Sequence, residues 1–290
     1  MNPVSMAVAG MCVELRPEPG SVELVIPERY RPFVLRSPPT TDAVIEWRAG
    51  DPDAVPTGEL LYDPGLAWRM YRSAAGDGLV ARFVGFGDPH GPSLAAMWAN
   101  PKWNRISITE RAGAAASREV LAHGLGELAL RTRLLFFDAI AVHASSVEDA
   151  GRAFLFLGQS GAGKSTQARI WAADPNVALL ATDRVALRLT DDGVVAYGTP
   201  WARREEPVVN RSAPAAALLF LEQSPLNSLR PLPPSAAAAA LLSRAYLPYW
   251  DVALLDRAMQ VAHEVVQRLP AFRMRCRPDW SAVEMVRGAL

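Results

Sequence analysis

The stretch FLFLGQSGAGKST, Phe154 to Thr166, decides how the second half of the chain is read. Its apolar opening has strand character, breaks into a glycine-rich loop, and is followed by the helix-forming segment STQARIWAA. Gly158, Gly163, Lys164 and Ser165 satisfy the spacing G-x-x-x-x-G-K-[ST], and Gly161 adds a third glycine inside the loop. Glycines let the backbone curl so that successive N–H groups converge on phosphate oxygens, and the helix beginning there adds its positive end. Gly158, Ser160, Gly161, Ala162, Gly163, Lys164, Ser165 and Thr166 are therefore the candidate nucleotide-binding residues. Lys164 has the reach for the β- and γ-phosphates, and the Ser165 hydroxyl can ligate Mg²⁺. The loop alone names no reaction. The chain carries no LSGGQ-type signature, no N/T-K-x-D guanine-reading motif and no apolar run ending in Asp-Glu, which lowers the weight of transporter ATPases, small GTPases and motor ATPases.

Composition narrows the classes further. The chain has 290 residues, half of them hydrophobic, enough to bury one large core or two ordinary ones. Thirty Lys and Arg balance thirty Asp and Glu, so no net field favours nucleic acid or an anionic membrane. Of the thirty basic residues only Lys102 and Lys164 are lysines; one of the two sits in the loop, where a compact ammonium suits phosphate. The two cysteines, Cys12 and Cys276, are too few for a disulfide framework and read as free thiols in a reducing cytoplasm. The apolar patch around Met6 to Val13 lacks the basic flank of a signal peptide, and no apolar run approaches membrane-spanning length. A cytoplasmic protein without nucleic-acid or membrane partners is the expectation.

The pattern changes near residue 134. Before it, strands are predicted at 22–26, 32–36, 43–48, 79–86 and 104–109, and a connecting helix from Ser117 to Phe137 with Val120, Leu121, Leu125, Leu128 and Leu135 on one face. After it, a hairpin IAVHASSV–EDAGR–AFLFLG runs into the loop, followed by a helix, a strand VALLATD, and the hairpin RVALRLTDDGVVAYG. Helices are expected from about Ser235 and Trp250, then a strand AFRMRCR and a closing helix DWSAVEMVRGAL. The expected organisation is a β-rich N-terminal domain, residues 1–133, and an α/β phosphate-loop domain, residues 134–290. Trp201 reads equally as packing or as a neighbour of the nucleotide, and Arg203 to Glu206 as a solvated loop, with a substrate role as the alternative. Arg273, Arg275 and Arg277 alternate with core positions and are expected to face solvent.

Three stretches surround the loop at telling distances: VHASSV with His143, fifteen residues before Gly158; VALLATDR with Asp183; and GTPW at 198–201. Together with the loop they resemble the HPr serine kinase/phosphorylase family, closest to its divergent branch that includes lasso-peptide-type kinases. The resemblance spans roughly residues 134–290. It implies a P-loop kinase domain akin to ATP-dependent phosphoenolpyruvate carboxykinase, using ATP and Mg²⁺ to phosphorylate a serine on a protein or peptide. It further implies catalytic roles for His143, Lys164 and Asp183, metal ligation by Ser165 and Asp183, and assembly into homo-oligomers. The reverse reaction on phosphoserine, and nucleotide binding without turnover, are the alternatives. The sequence departs from the family at Thr182, where an aspartate that takes the serine proton is usual; Asp183, His143 or Glu205 would have to replace it. A missing base slows phosphoryl transfer without abolishing it, because positioning and charge stabilisation carry most of the catalysis.

Overall fold

The computed structural model describes residues 3–18, 26–38, 40–85, 91–111, 124–202 and 206–290. The protein is mixed α/β with two sheets, and it divides into two units: Met1–Phe136 with Pro248–Val252, and Phe137–Leu247 with Ala253–Leu290.

The first unit is a twisted sheet built from β1 (Val4–Val8), β2 (Met11–Pro17), β3 (Val34–Leu35), β4 (Ala43–Ala49), β5 (Thr57–Tyr62), β6 (Trp68–Ser73), β7 (Leu79–Phe83), β8 (Ala95–Ala99) and β9 (Arg105–Glu110). Its order is β3-β1-β2-β4-β9-β8-β7-β6-β5, with β4 parallel to both β2 and β9. Period-two burial drives it: Val13 and Leu15 on β2, Ala43 and Ile45 on β4, and Ile106 and Ile108 on β9 are buried with more exposed residues between them, and β9 closes with Thr109 and Glu110 also buried. The apolar patch Met6 to Val13 is a hairpin; Ala9 and Gly10 both take positive φ (51° and 77°), as a two-residue turn between twisted strands requires. The strand expected at 32–36 shrinks to Val34–Leu35, because Glu28–Phe33 forms a 3₁₀ turn that buries Tyr30 and Phe33. The strand expected at 22–26 lies, apart from its last residue, outside the described residues. So do residues 117–123 of the expected connecting helix. What is described of that helix is α1 (Leu125–Leu134), followed by a 3₁₀ turn, Leu135–Phe137. It is buried around most of its circumference, and no single apolar face is distinguished.

The second unit contains β10 (Ala139–Asp149), β11 (Arg152–Leu157), α2 (Lys164–Trp171), β12 (Ala178–Ala181), β13 (Arg184–Thr190), β14 (Gly193–Gly198), β15 (Ser212–Gln223), β16 (Ser228–Pro231), α3 (Pro234–Leu242), α4 (Val252–Arg268), β17 (Ala271–Cys276) and α5 (Ser281–Ala289), with Val252 itself falling in the first unit. The strand order is β11-β10-β13-β14-β15-β17-β16; β12 pairs β10, and β11 also pairs β15 in parallel. The long strand β10 changes partner midway: Ala139–His143 pair with β13, and Ala144–Asp149 pair with β11. His143 therefore stands at the changeover. Strand β11 is buried on both faces after its first residue, as expected for a strand flanked by β10 and by parallel β15. Phe154 and Phe156 pack with Trp171 of α2 at ring separations of 5.0 and 5.8 Å, and Ala282, Val283 and Val286 of α5 complete that cluster. Trp201 is fully buried in the core. Arg273, Arg275 and Arg277 are exposed to solvent as expected, where Arg273 and Arg275 also pair with Glu222 and Arg277 with Asp279. Both cysteines are free. Among the described residues no helix is long and apolar enough to cross a membrane.

Candidate functional site

The loop between β11 and α2 sits at the carboxyl end of a strand flanked by parallel β15, the position where open α/β sheets bind ligands. Gly163 adopts φ 98°, a conformation available at little cost only to glycine, and this turns the chain directly into α2. Gly158 is required for space: a Cβ there would lie 2.9 Å from the Ala162 Cβ and 3.3 Å from the Leu221 carbonyl oxygen. The loop is braced from β15, where the Gln223 amide donates to the Gly161 carbonyl at 2.7 Å. Lys164 is buried, and its ammonium donates to the carbonyls of Gly158 (3.1 Å) and Gln159 (3.0 Å), which holds a positive charge at the loop's first turn.

The second wall comes from the β10 changeover. The backbone N–H of Ala144 donates to the Asp183 carbonyl at 3.1 Å, and His143 pairs in register with Arg184. This brings the His143 ring onto Asp183: Nδ1 lies 3.0 Å from both the carbonyl oxygen and the carboxylate Oδ1. Both neighbours are acceptors, so Nδ1 carries the proton and the lone pair of neutral His143 is on Nε2. The other Asp183 oxygen pairs with the Arg184 guanidinium. Burial pushes the Arg184 pKa down and Asp183 pulls it back up. Asp183 is thus engaged on both oxygens. The Ser165 hydroxyl donates to the Thr182 carbonyl at 3.3 Å, and the Ser145 hydroxyl donates to the same oxygen at 2.6 Å.

His143, Lys164, Ser165 and Asp183 line one cavity of about 210 Å³, together with Ser160, Gly161, Gly163, Thr166, Thr182 and Glu206. Gly158 and Ala162 lie outside that cavity and line a larger cleft of about 640 Å³ beside the loop. Ala162, Gly163 and Thr166 also edge a third cavity of about 550 Å³, walled by Gln167, Pro225, Cys276 and Pro278. There burial pushes the Cys276 thiol up to about 11 against the lowering hydrogen bond from Gln167, so it is protonated near neutrality. Two buried oxygens of the 210 Å³ cavity have no hydrogen-bond partner among the described residues: Thr182 Oγ1 and Glu206 Oε2. Buried polar atoms in folded proteins are ordinarily satisfied, and unfilled ones point to an absent ion, water or ligand.

Glu206 corrects the sequence reading. The run Arg203 to Glu206 was expected to be solvated, yet the Glu206 side chain is only 13% exposed and faces the loop; it pairs with the Arg169 guanidinium at 3.7 Å. Residues 203–205, including the alternative base Glu205, lie outside the described residues. No signal in the sequence distinguishes Glu206 from its charged neighbours, since only the fold brings it to the cavity. The oxygens present fit Mg²⁺, which favours a few hard oxygens plus phosphate and water. Among the described residues no group of three His, Cys, Asp or Glu is placed to hold a metal by itself, so a bound nucleotide would have to supply the remaining ligands. No protein-family model and no curated protein matches the chain.

Proposed function

We propose that the second unit is an ATP- and Mg²⁺-dependent kinase domain of the HPr-kinase type that transfers the γ-phosphoryl group to a serine hydroxyl of a protein or peptide. The observation that carries this reading is the convergence, on one small cavity, of the loop, the Lys164 ammonium, the Ser165 hydroxyl and a His143–Asp183 pair. The loop N–H groups and Lys164 would bind the phosphates, with the Lys164 ammonium moving from the Gly158 and Gln159 carbonyls onto phosphate oxygen. Ser165 and Asp183 would hold Mg²⁺, whose contribution when bound is to neutralise charge on the β- and γ-oxygens. In the transfer, the serine oxygen forms a bond to the γ-phosphorus while the bond to the β–γ bridging oxygen breaks, its electron pair leaving on ADP. The serine proton passes to a group of this chain. His143 Nε2 can receive it, with Nδ1–H anchored on Asp183, and so can Glu206. These two stand in for the aspartate replaced by Thr182.

A second reading has its own support. Asp183 is held on both oxygens by His143 and Arg184, an arrangement suited to a nucleotide-binding regulatory module without turnover. Incubation with MgATP and candidate protein and peptide acceptors, with phosphoserine read by mass spectrometry, separates the two. A kinase yields phosphoserine and ADP together, whereas a regulatory module binds MgATP and yields neither.

A further inference from the structure

The three cavities do not meet the loop at the same place. Lys164 marks the γ-phosphate end, and its ammonium lies on the carbonyls of Gly158 and Gln159. Those two residues line the 640 Å³ cleft and are absent from the walls of the 550 Å³ cavity, which meets the loop at Ala162, Gly163 and Thr166, where the helix begins. A nucleotide aligned on the loop therefore directs its base toward the 550 Å³ cavity and its γ-phosphoryl toward the other end of the loop, where the 210 Å³ cavity and the 640 Å³ cleft share Ser160 and Gly161. The opposite wall of that cleft is α3, which presents Ala236 and Ala240, with Ser243 just beyond its end: one helical face without long side chains. Three charged side chains line the cleft. Arg273 pairs with Glu222 at 3.2 Å, a carboxylate it shares with Arg275 at 3.8 Å. Arg244 meets no carboxylate among the described residues; its guanidinium donates only to the Ser243 carbonyl at 3.1 Å. It is also tied to the candidate site, since the His143 N–H donates to the Arg244 carbonyl at 2.7 Å and Tyr246 N–H to the Ala141 carbonyl at 2.9 Å. Residues 244–246 thus run along β10 beside His143.

We infer that this cleft is the acceptor subsite, admitting a hydroxyl-bearing chain end or side chain along the small-residue face of α3 and holding the phosphoryl group it receives on Arg244. The inference rests on the kinase reading above and adds to it the place and chemistry of the second substrate. The cleft's ligand class is a phosphomonoester, the product of transfer; an uncompensated guanidinium binds it by charge-assisted hydrogen bonds.

The test uses the full chain saturated with MgADP, titrated calorimetrically with O-phospho-L-serine. Wild type is expected to bind it. Arg244→Gln should weaken that binding about tenfold or more, the loss of a charge-assisted contact. Arg244→Lys should restore part of it. Ala240→Trp, which fills the cleft from α3 at a partly exposed position, should weaken it comparably, and all three variants should keep wild-type MgADP affinity. Wild-type binding of O-phospho-L-serine by both Arg244→Gln and Ala240→Trp, or no binding by MgADP-loaded wild type, overturns the inference while leaving the nucleotide site standing. Failure of wild type to bind MgADP takes down the kinase reading and this inference with it.

Discussion

Asp183→Asn separates what this carboxylate does for the fold from what it does for the proposed reaction. The substitution keeps an oxygen for His143 Nδ1 but removes the charge opposite Arg184. Removing one partner of a fully buried ion pair costs about 3–5 kcal/mol, because the other charge is left uncompensated in low dielectric. Here the Asp183 side chain is 13% exposed and that of Arg184 is 30% exposed, so solvent recovers part of the loss. A destabilisation of roughly 1–3 kcal/mol follows. It should appear as a lower urea midpoint with unchanged slope for the second unit, followed by the fluorescence of buried Trp171 and Trp201. The double variant Asp183→Asn/Arg184→Met removes both charges and should regain most of that stability. Neither variant should recover the magnesium dependence of ADP production, since both lack the carboxylate proposed to hold the metal. A wild-type midpoint for Asp183→Asn would refute the ion-pair argument, and wild-type magnesium dependence would refute the metal role.

Other consequences are testable independently. Thr182→Val fills the place of a buried hydroxyl that has no hydrogen-bond partner among the described residues, so it should leave stability unchanged or raised by up to about 1 kcal/mol while weakening MgATP binding; a destabilised variant with intact binding would show a purely structural role. Gly198→Ala would put a Cβ 2.2 Å from the Val209 carbonyl oxygen and 2.5 Å from that of Leu180, both backbone atoms, and should cost about 1–3 kcal/mol or more by denaturation. In the first unit, burial pushes Glu110 up to about 7, against the lowering hydrogen bond from Trp47. Folded, this group keeps its proton up to about pH 7, whereas unfolded it releases it near 4.5, so between those values the folded form binds the extra proton. The stability contributed by Glu110 is therefore full below pH 4.5 and is lost as the pH rises through 7; Glu110→Gln should flatten that slope in denaturation midpoints measured across the window.

What could be read from sequence tracks how local its cause is. The loop from Gly158 to Ser165 was legible because its geometry depends on glycine positions within a single turn. The β10–β11 hairpin was legible through its turn, where Ala150 and Gly151 both take positive φ between two apolar runs. The chemically identical Ala9-Gly10 turn was not read, because the strands on either side looked like one apolar patch. β5, β6 and β8 also escaped: Pro- and Gly-rich flanks obscured the first two, and AAMWA carries too little alternation for the third. Pro32 lies inside a 3₁₀ turn where an extended run was expected, since tertiary burial of Tyr30 and Phe33 outweighed local strand propensity. In the site, Asp183 was marked by the apolar strand before it, but its Arg184 partner was not anticipated. Glu206, Arg244 and the α3 face reach the loop only through the fold, and no spacing along the chain records that.

The most direct test of the central claim is calorimetric titration of MgATP into wild type and Lys164→Ala, with circular dichroism to verify that both are folded. Lys164 is buried with its ammonium at the start of the loop, and no other lysine lies in the second unit. The account predicts saturable binding by wild type and a loss of about two orders of magnitude or more in the variant, as expected when a buried ammonium aimed at phosphate is removed. Equal affinity in the two proteins, or no binding by wild type, would contradict it.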